Sequence, residues 1–305
     1  MDNIEKIGGF TLNLKNYSGN DLYSDGDIED ELLRICQSGD REEVLRNSDS
    51  WPLLYHLSKA RENILDWYEF NPEGDLLEIG AGCGALTGLF SRKVNKVTCI
   101  ELSKRRSLIN AYKNGQDGCA EIIVGNFQDI DISEKYDYVT LIGVLEYAKC
   151  YLNVPKPFHA MLNKIKNNLK ENGKVIIAIE NRMGLKYFSG AAEDHTGTPF
   201  DGINGYAKGS DAITFSKPEL TKLLYECGFG KLEFYYPVPD YKLPSTIYSD
   251  DYLPESGELR AMKRAYAGNN FQFFDEELAF DEICKDGQFP YFSNSFLVIA
   301  EQGKE

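Results

Sequence analysis

From residue 75 onward the apolar positions fall into short runs separated by segments of helical spacing. The runs are "DLLEIG", "KVTCIE", "EIIVG", "YDYVTLIG" and "KVIIAIE", and the segments include "ALTGLFSR" and "SKRRSLINAYKNG". Before the fifth run, Phe158, Met161, Leu162, Ile165 and Leu169 recur at helical intervals, with Gly173 as the expected stop. Strands alternating with helices predict a parallel sheet covered by crossover helices. "SKPEL" offers Ser216 as N-cap with Glu219 three residues on, a capping box opening one more helix. "KLEFYY" (231–236) and "SNSFLVIA" (293–300) complete seven strands. The expected class is α/β, a doubly wound, mostly parallel sheet.

The pattern changes outside this alternation. Residues 1–70 carry helix signals at "IEDELLRIC" and "WPLLYHLSKARENILDWYEF" and are expected to form a helical N-terminal cap. The sheet core then covers 71–236 and 293–305. Residues 237–292 are too long for a hairpin and are expected to be an insert or lid that contributes to an acceptor site, turning helical around "ELRAMKRAY".

Composition narrows the function. Of 305 residues, 42% are apolar and 12% aromatic, as in a chain that folds around a core. Thirty-three Lys and Arg against 48 Asp and Glu leave a formal charge of −15, which repels nucleic acid and anionic lipid. The start "MDNIEKIGG" lacks the pattern of a leader, and no window approaches the ~18 apolar residues of a membrane span, so a cytoplasmic location is expected. Seven scattered Cys, never spaced C-x-x-C, argue for reduced thiols and against a zinc site, and no metal is expected.

"LLEIGAGCGALTG" (76–88) runs a strand into Gly80, Ala81, Gly82 and Gly84 and then into a helix, an arrangement that lets bare backbone approach a ligand. The spacing also satisfies the dinucleotide fingerprint, so the glycines alone do not decide the cofactor. Glu78 does. A carboxylate just before the loop faces a pyrophosphate badly and a sulfonium well. Glu101, followed by Leu102, ends the second strand, where a carboxylate can accept both hydroxyls of a ribose. After the third strand, Asn126 and Phe127 can read an adenine edge and lie against its face. Gly143 ends the fourth strand and leaves room over the carboxyl end of the sheet.

These stretches, with "VTCIELS", "VGNFQDI", "YDYVTLIGVLEY" and "LKENGKVIIAIEN", resemble the successive motifs of class I S-adenosylmethionine-dependent methyltransferases. The resemblance spans about residues 75–181 plus the two late strands. It implies a Rossmann-like fold with strand order 3-2-1-4-5-7-6 and the seventh antiparallel, S-adenosylmethionine as cofactor, Glu78 and the Gly80–Gly84 loop at the methionine portion, Glu101 on the ribose and Asn126–Phe127 at the adenine. Asn126 stands where many relatives have Asp. The N/D-P-P-Y/F signature after the fourth strand is missing, and Gly143-Val144-Leu145-Glu146-Tyr147 is similar instead to enzymes acting on small molecules. The flanking "IENRMGLKYFSGAAEDHTGTPFDGINGY" and "PVPDYKLPSTIYSDDYLP" resemble a narrower group of bacterial methyltransferases found among surface-polysaccharide and glycosyltransferase genes.

The expected reaction is methyl transfer to a small-molecule or glycan-linked acceptor, at a hydroxyl. His195, in "GAAEDHTGTPFDG", is the candidate base, with Glu193 or Asp194 to orient it; the plainer alternative is a capped turn. Glu146, His56 and His159 read as structural. Arg61 falls on the apolar face of a helix expected over 53–68 and needs a partner, either the methionine carboxylate or an internal acid. Arg182 can bind an anionic substrate or pair near Glu180. Tyr241, with Tyr235, Tyr236, Tyr248 and Tyr252, can stack on sugar rings or simply pack the lid. Two rivals remain: an NAD- or nucleotide-sugar-dependent enzyme on the same glycines, disfavoured by Glu78 and the missing Tyr-x-x-x-Lys pair, and a non-catalytic cofactor-binding partner in glycan assembly.

Overall fold

A computed structural model describes residues 3–260 and 271–303 and divides the chain into two compact units. The first comprises residues 1–141 and 168–173; the second comprises residues 142–167 and 174–305.

In the first unit the chain opens with two short strands, β1 (Ile4–Ile7) and β2 (Phe10–Asn13), which form an antiparallel hairpin. Gly8 and Gly9 make its two-residue turn, and Gly8 must be glycine: its φ is +57°, and a Cβ there would stand 2.2 Å from the Gly115 carbonyl oxygen. Three helices follow, α1 (Ile28–Ser38), α2 (Arg41–Asn47) and α3 (Trp51–Leu57). The continuous helix expected over 53–68 does not form. Ser58 is extended and its hydroxyl accepts the Ala60 N–H at 3.1 Å, so it ends α3 and caps a 3-10 turn over Lys59–Ile64.

The strand and helix alternation then runs as expected through β3 (Asp75–Ile79), α4 (Thr87–Lys93), β4 (Lys96–Glu101), α5 (Lys104–Asn114), β5 (Ala120–Val124) and β6 (Tyr136–Ile142). Strands β5, β4, β3 and β6 pair in that order, all parallel, which is the 3-2-1-4 half of the implied order. The hairpin adds to their edge through a parallel β2–β5 pair, burying Phe10 and Leu12 completely. Leu32, Ile35, Leu53 and Leu57 of the N-terminal helices pack with Cys83 of the glycine loop and Ile109 of α5, so apolar burial props the loop from its own unit.

The second unit carries α6 (Ala148–Tyr151), α7 (Pro157–Asn168), β7 (Leu169–Glu180), α8 (Leu185–Phe188), α9 (Lys217–Glu226), β8 (Phe229–Val238), β9 (Thr246–Ser249), α10 (Glu276–Lys285), α11 (Phe289–Phe292) and β10 (Ser295–Gln302), the ends of α7 and β7 nearest residue 168 counting with the first unit. The capping box at Ser216 and Glu219 is present. Helix α7 stops at Asn168, and Gly173 lies inside β7 after the left-handed Asn172. Strand β10 lies between β7 and β8 and is antiparallel to both, the 5-7-6 half of the implied order. β9, in the insert, extends this set antiparallel to β8. The described strands therefore number ten, not seven, the additions being β1, β2 and β9. Most of the helix expected around "ELRAMKRAY" lies outside the described residues; Glu258–Arg260 form a turn. No helix among the described residues is long and apolar enough to cross a membrane.

Candidate active site

In the first unit the site is built where β3 and β4 end. Gly80, Gly82 and Gly84 all have positive φ, 70°, 54° and 74°, and the N–H groups of Gly80 and Ala81 are anchored on the Ile100 carbonyl. The Glu101 carboxylate is buried and held from within: one oxygen accepts the Gly82 N–H at 2.7 Å, the other the Ser103 N–H at 3.0 Å. Each oxygen keeps a second lone pair for a ribose hydroxyl. Leu102 beside it is half-buried. The next loop hangs on the same strand end, the Gly125 N–H bonding the Glu101 carbonyl at 2.8 Å. There Phe127 is buried, and the Asn126 side-chain oxygen accepts the Gln128 N–H at 3.1 Å, which leaves the amide NH2 as the group that can donate.

Glu78 is buried in a polar network absent from the sequence reading. Its carboxylate accepts the Thr87 hydroxyl at 2.6 Å and the Cys99 thiol at 3.4 Å; Thr87 accepts from the Asn110 amide at 2.9 Å, and Asn114 ties Asn110 to the Gly84 carbonyl. Burial pushes the Glu78 carboxyl up to about 7, against the hydrogen bonds that favour its charge. Glu78 thus braces the loop from beneath. Arg106 was also missed. A Cβ on Gly82 would lie 2.9 Å from its guanidinium, which stacks 4.8 Å over Tyr23 and meets Asp25 at 3.5 Å. Burial works against its charge, but Glu101 and Asp25 more than restore it. Arg61 stacks 4.2 Å over the Tyr55 ring, and His56 meets Asp25 at 3.3 Å.

In the second unit, the loop around His195 closes on carboxylates from three parts of the chain. Nδ1 of His195 lies 3.0 Å from Glu193 Oε1. Glu193 is itself fixed by the N–H groups of His195 and Thr196, at 2.8 and 2.7 Å, and by the Tyr206 hydroxyl at 3.2 Å. Nε2 faces Glu146 Oε1 at 3.7 Å and Glu180 Oε2 at 4.0 Å, both on fully buried side chains. Burial favours the neutral ring, yet Glu146, Glu193 and Glu180 outweigh it and push the imidazole up to about 11.

The other expected contacts resolve differently. Asp194 turns away from His195 to Lys186 and Lys242, each at 2.7 Å. Arg182 forms a fork with Glu219, both contacts 2.7 Å, and donates to the Gly202 carbonyl, so its guanidinium holds the α9 cap. The space left by Gly143, with φ +68°, is filled: a Cβ there would stand 2.8 Å from the Tyr241 hydroxyl. Tyr241 is buried and donates to Glu180 at 3.2 Å. Tyr236 is buried and bonds Asp250 and Lys217, and Tyr248 stacks on the exposed Tyr252, so packing accounts for most of that aromatic set. Glu146, read as structural, belongs to the cluster; its place in the Gly143–Tyr147 stretch gave no signal of it.

Comparison with known proteins fits this geometry. Residues 77–175 match the methyltransferase domain family. An uncharacterized methyltransferase of Staphylococcus carnosus is 29% identical over 106 residues, 34% of this chain and 46% of that protein. One of Alkaliphilus oremlandii is 31% identical over 117 residues, 38% of this chain and 50% of that protein. The chain spans about half the length of the curated relatives it matches. Phosphoethanolamine N-methyltransferase 1 of Haemonchus contortus, solved with phosphoethanolamine and S-adenosylhomocysteine, shares the fold at a TM-score of 0.50 and 13% identity, over 93% of this chain and 52% of that one. Residues 77–175 thus resemble a methyltransferase domain, and the left-handed glycines and the pre-oriented Glu101 suit S-adenosylmethionine, the cofactor that resemblance implies.

Proposed function

We propose that the protein transfers a methyl group from S-adenosylmethionine to a hydroxyl of a small-molecule or glycan-linked acceptor. The bound cofactor supplies a methyl on a sulfonium, open to in-line displacement, so the protein's main task is alignment, worth effective molarities up to ~10⁵–10⁸ M. Glu101 takes the ribose hydroxyls, and Asn126 and Phe127 take the adenine. The Gly80–Gly84 backbone takes the methionine portion, with Arg106 replacing Arg61 as the cation available to its carboxylate.

The hydroxyl reading rests on one observation: His195, Glu146 and Glu180 bring proton-handling atoms within 4.8 Å of one another in a buried setting. An alkyl hydroxyl must lose its proton as it attacks, whereas an amine attacks as its free base and needs no such cluster. The flanking resemblance to methyltransferases of polysaccharide gene clusters supports a sugar hydroxyl. Calorimetric titration with S-adenosylhomocysteine and NAD in parallel tests the cofactor, and only the first should bind. A radiolabelled-methyl screen over sugar nucleotides, other alcohols and amines tests the acceptor. Label on amines alone would overturn the hydroxyl reading.

A further inference from the structure

The His195 cluster has the form of a cation site. We propose that Glu146, Glu180 and His195 bind one divalent metal ion of the Mn²⁺ type. Ligand atoms from all three lie within 4.8 Å of one another. The Nε2 separations of 3.7 and 4.0 Å are too long for hydrogen bonds. They are what remains when atoms converge on a shared point between them, since a cation about 2.1–2.2 Å from each ligand holds neighbouring ligand atoms about 3 Å apart or more.

The second observation is independent of the clustering. Oε2 of Glu146 and Oε2 of Glu180 are buried and have no hydrogen-bond partner among the described residues. A buried carboxylate oxygen left bare is costly unless something positive meets it. Glu180 has its other oxygen satisfied, by Lys242 at 2.6 Å and Tyr241 at 3.2 Å, so its bare atom is the one presented to the cluster.

The ring is oriented as a ligand should be. Nδ1 of His195 bonds Glu193, and three further donors pin Glu193, an arrangement that fixes the tautomer of metal-binding histidines and directs Nε2 outward. Two carboxylates with one imidazole form an oxygen-rich set that also offers nitrogen, which favours Mn²⁺ over the all-oxygen Ca²⁺ and the more nitrogen- and sulfur-seeking Zn²⁺. Three protein ligands leave coordination positions open for water or an acceptor oxygen. These ligands lie 34 and 15 residues apart, so no spacing rule reveals them in the sequence.

The test uses the full chain, stripped with chelator, without cofactor or acceptor. Titration with MnCl₂, followed by the loss of the free Mn²⁺ electron paramagnetic resonance signal, should show one ion per chain. His195→Gln and Glu146→Gln should each abolish binding or weaken it at least ~100-fold, and Glu193→Gln, acting through the ring, about 10–100-fold. Circular dichroism of each variant establishes that it is folded, and a rise of wild-type Tm with Mn²⁺ that the variants lack gives a second readout. Folded wild-type protein that leaves Mn²⁺ free at millimolar concentration, or His195→Gln binding as tightly as wild type, overturns the proposal. Methyl transfer is not measured, so this outcome and that of the acceptor screen are separate.

Discussion

The glycine loop of the first unit and the His195 cluster of the second both bury carboxylates, and they treat them in opposite ways. Glu78 and Glu101 are met by donors of their own unit: Thr87 and Cys99 for one, the N–H groups of Gly82 and Ser103 for the other. Glu146 and Glu180 keep bare oxygens at the same depth. The first arrangement is finished before any ligand arrives and offers leftover lone pairs to hydroxyls. The second leaves one buried oxygen of Glu146 and one of Glu180 without a donor among the described residues, and a group that meets them gains accordingly. Preorganisation in one region and stored demand in the other suit a cofactor held in one pose and an acceptor atom that must be activated.

The largest effect that sharpens this contrast is expected at His195. His195→Ala should lower methyl transfer about 10²–10⁴-fold, the usual size of a proton-handling group, while the calorimetric affinity for S-adenosylhomocysteine stays near wild type. Undiminished turnover would remove the cluster from the reaction.

Next in size is the pH response of Glu78. Its folded pKa is raised, from 4.5 to about 7, so its contribution is fully present below the unfolded value and fades as pH rises through the folded one. A carboxyl moved that far is worth about 3 kcal/mol. Urea unfolding of the ligand-free protein should show wild type losing about that much relative to Glu78→Gln between pH 4.5 and 7.5. Parallel curves would mean that the network carries Glu78 as a carboxylate.

Glu101→Ala removes the acceptor of two backbone N–H groups, each worth ~1–3 kcal/mol when stranded. Affinity for S-adenosylhomocysteine should fall about 10–100-fold with Mn²⁺ binding unchanged; loss of both together would erase the distinction between the regions. The smallest effect belongs to Gly143→Ala, which combines a left-handed residue with a close approach to the Tyr241 hydroxyl. A loss of about 1–2 kcal/mol is expected, read as a lower Tm, and no loss would mean that Tyr241 swings aside freely.

Much of the first region was legible, and little of the second. The strand and helix order from β3 to β7, the capping box at Ser216 and the glycine loop all lie in contiguous stretches, where apolar period and turn chemistry speak locally. Even here the braces of the loop were not visible: Thr87, Asn110 and Asn114 look like ordinary helix residues until the fold stacks them under Gly84. The β1–β2 hairpin escaped notice although Gly8-Gly9 is a hairpin turn, because four-residue strands carry too short an alternation. The partner of Arg182 stayed open in the sequence, since nothing local announces that Glu219 lies opposite its fork.

What the sequence determined by itself is the strand and helix succession, the left-handed turn after β3 and the strand-ending acid Glu101, because each depends on neighbours within one or two turns of chain. Tertiary structure alone decided which charges became partners: Glu193, not Asp194, for His195; Glu219 for Arg182; Lys242 and Tyr241 for Glu180. All but the first of those pairings join residues far apart in the chain, and their energies exist only once burial has removed the water that would otherwise have served every one of these groups equally well.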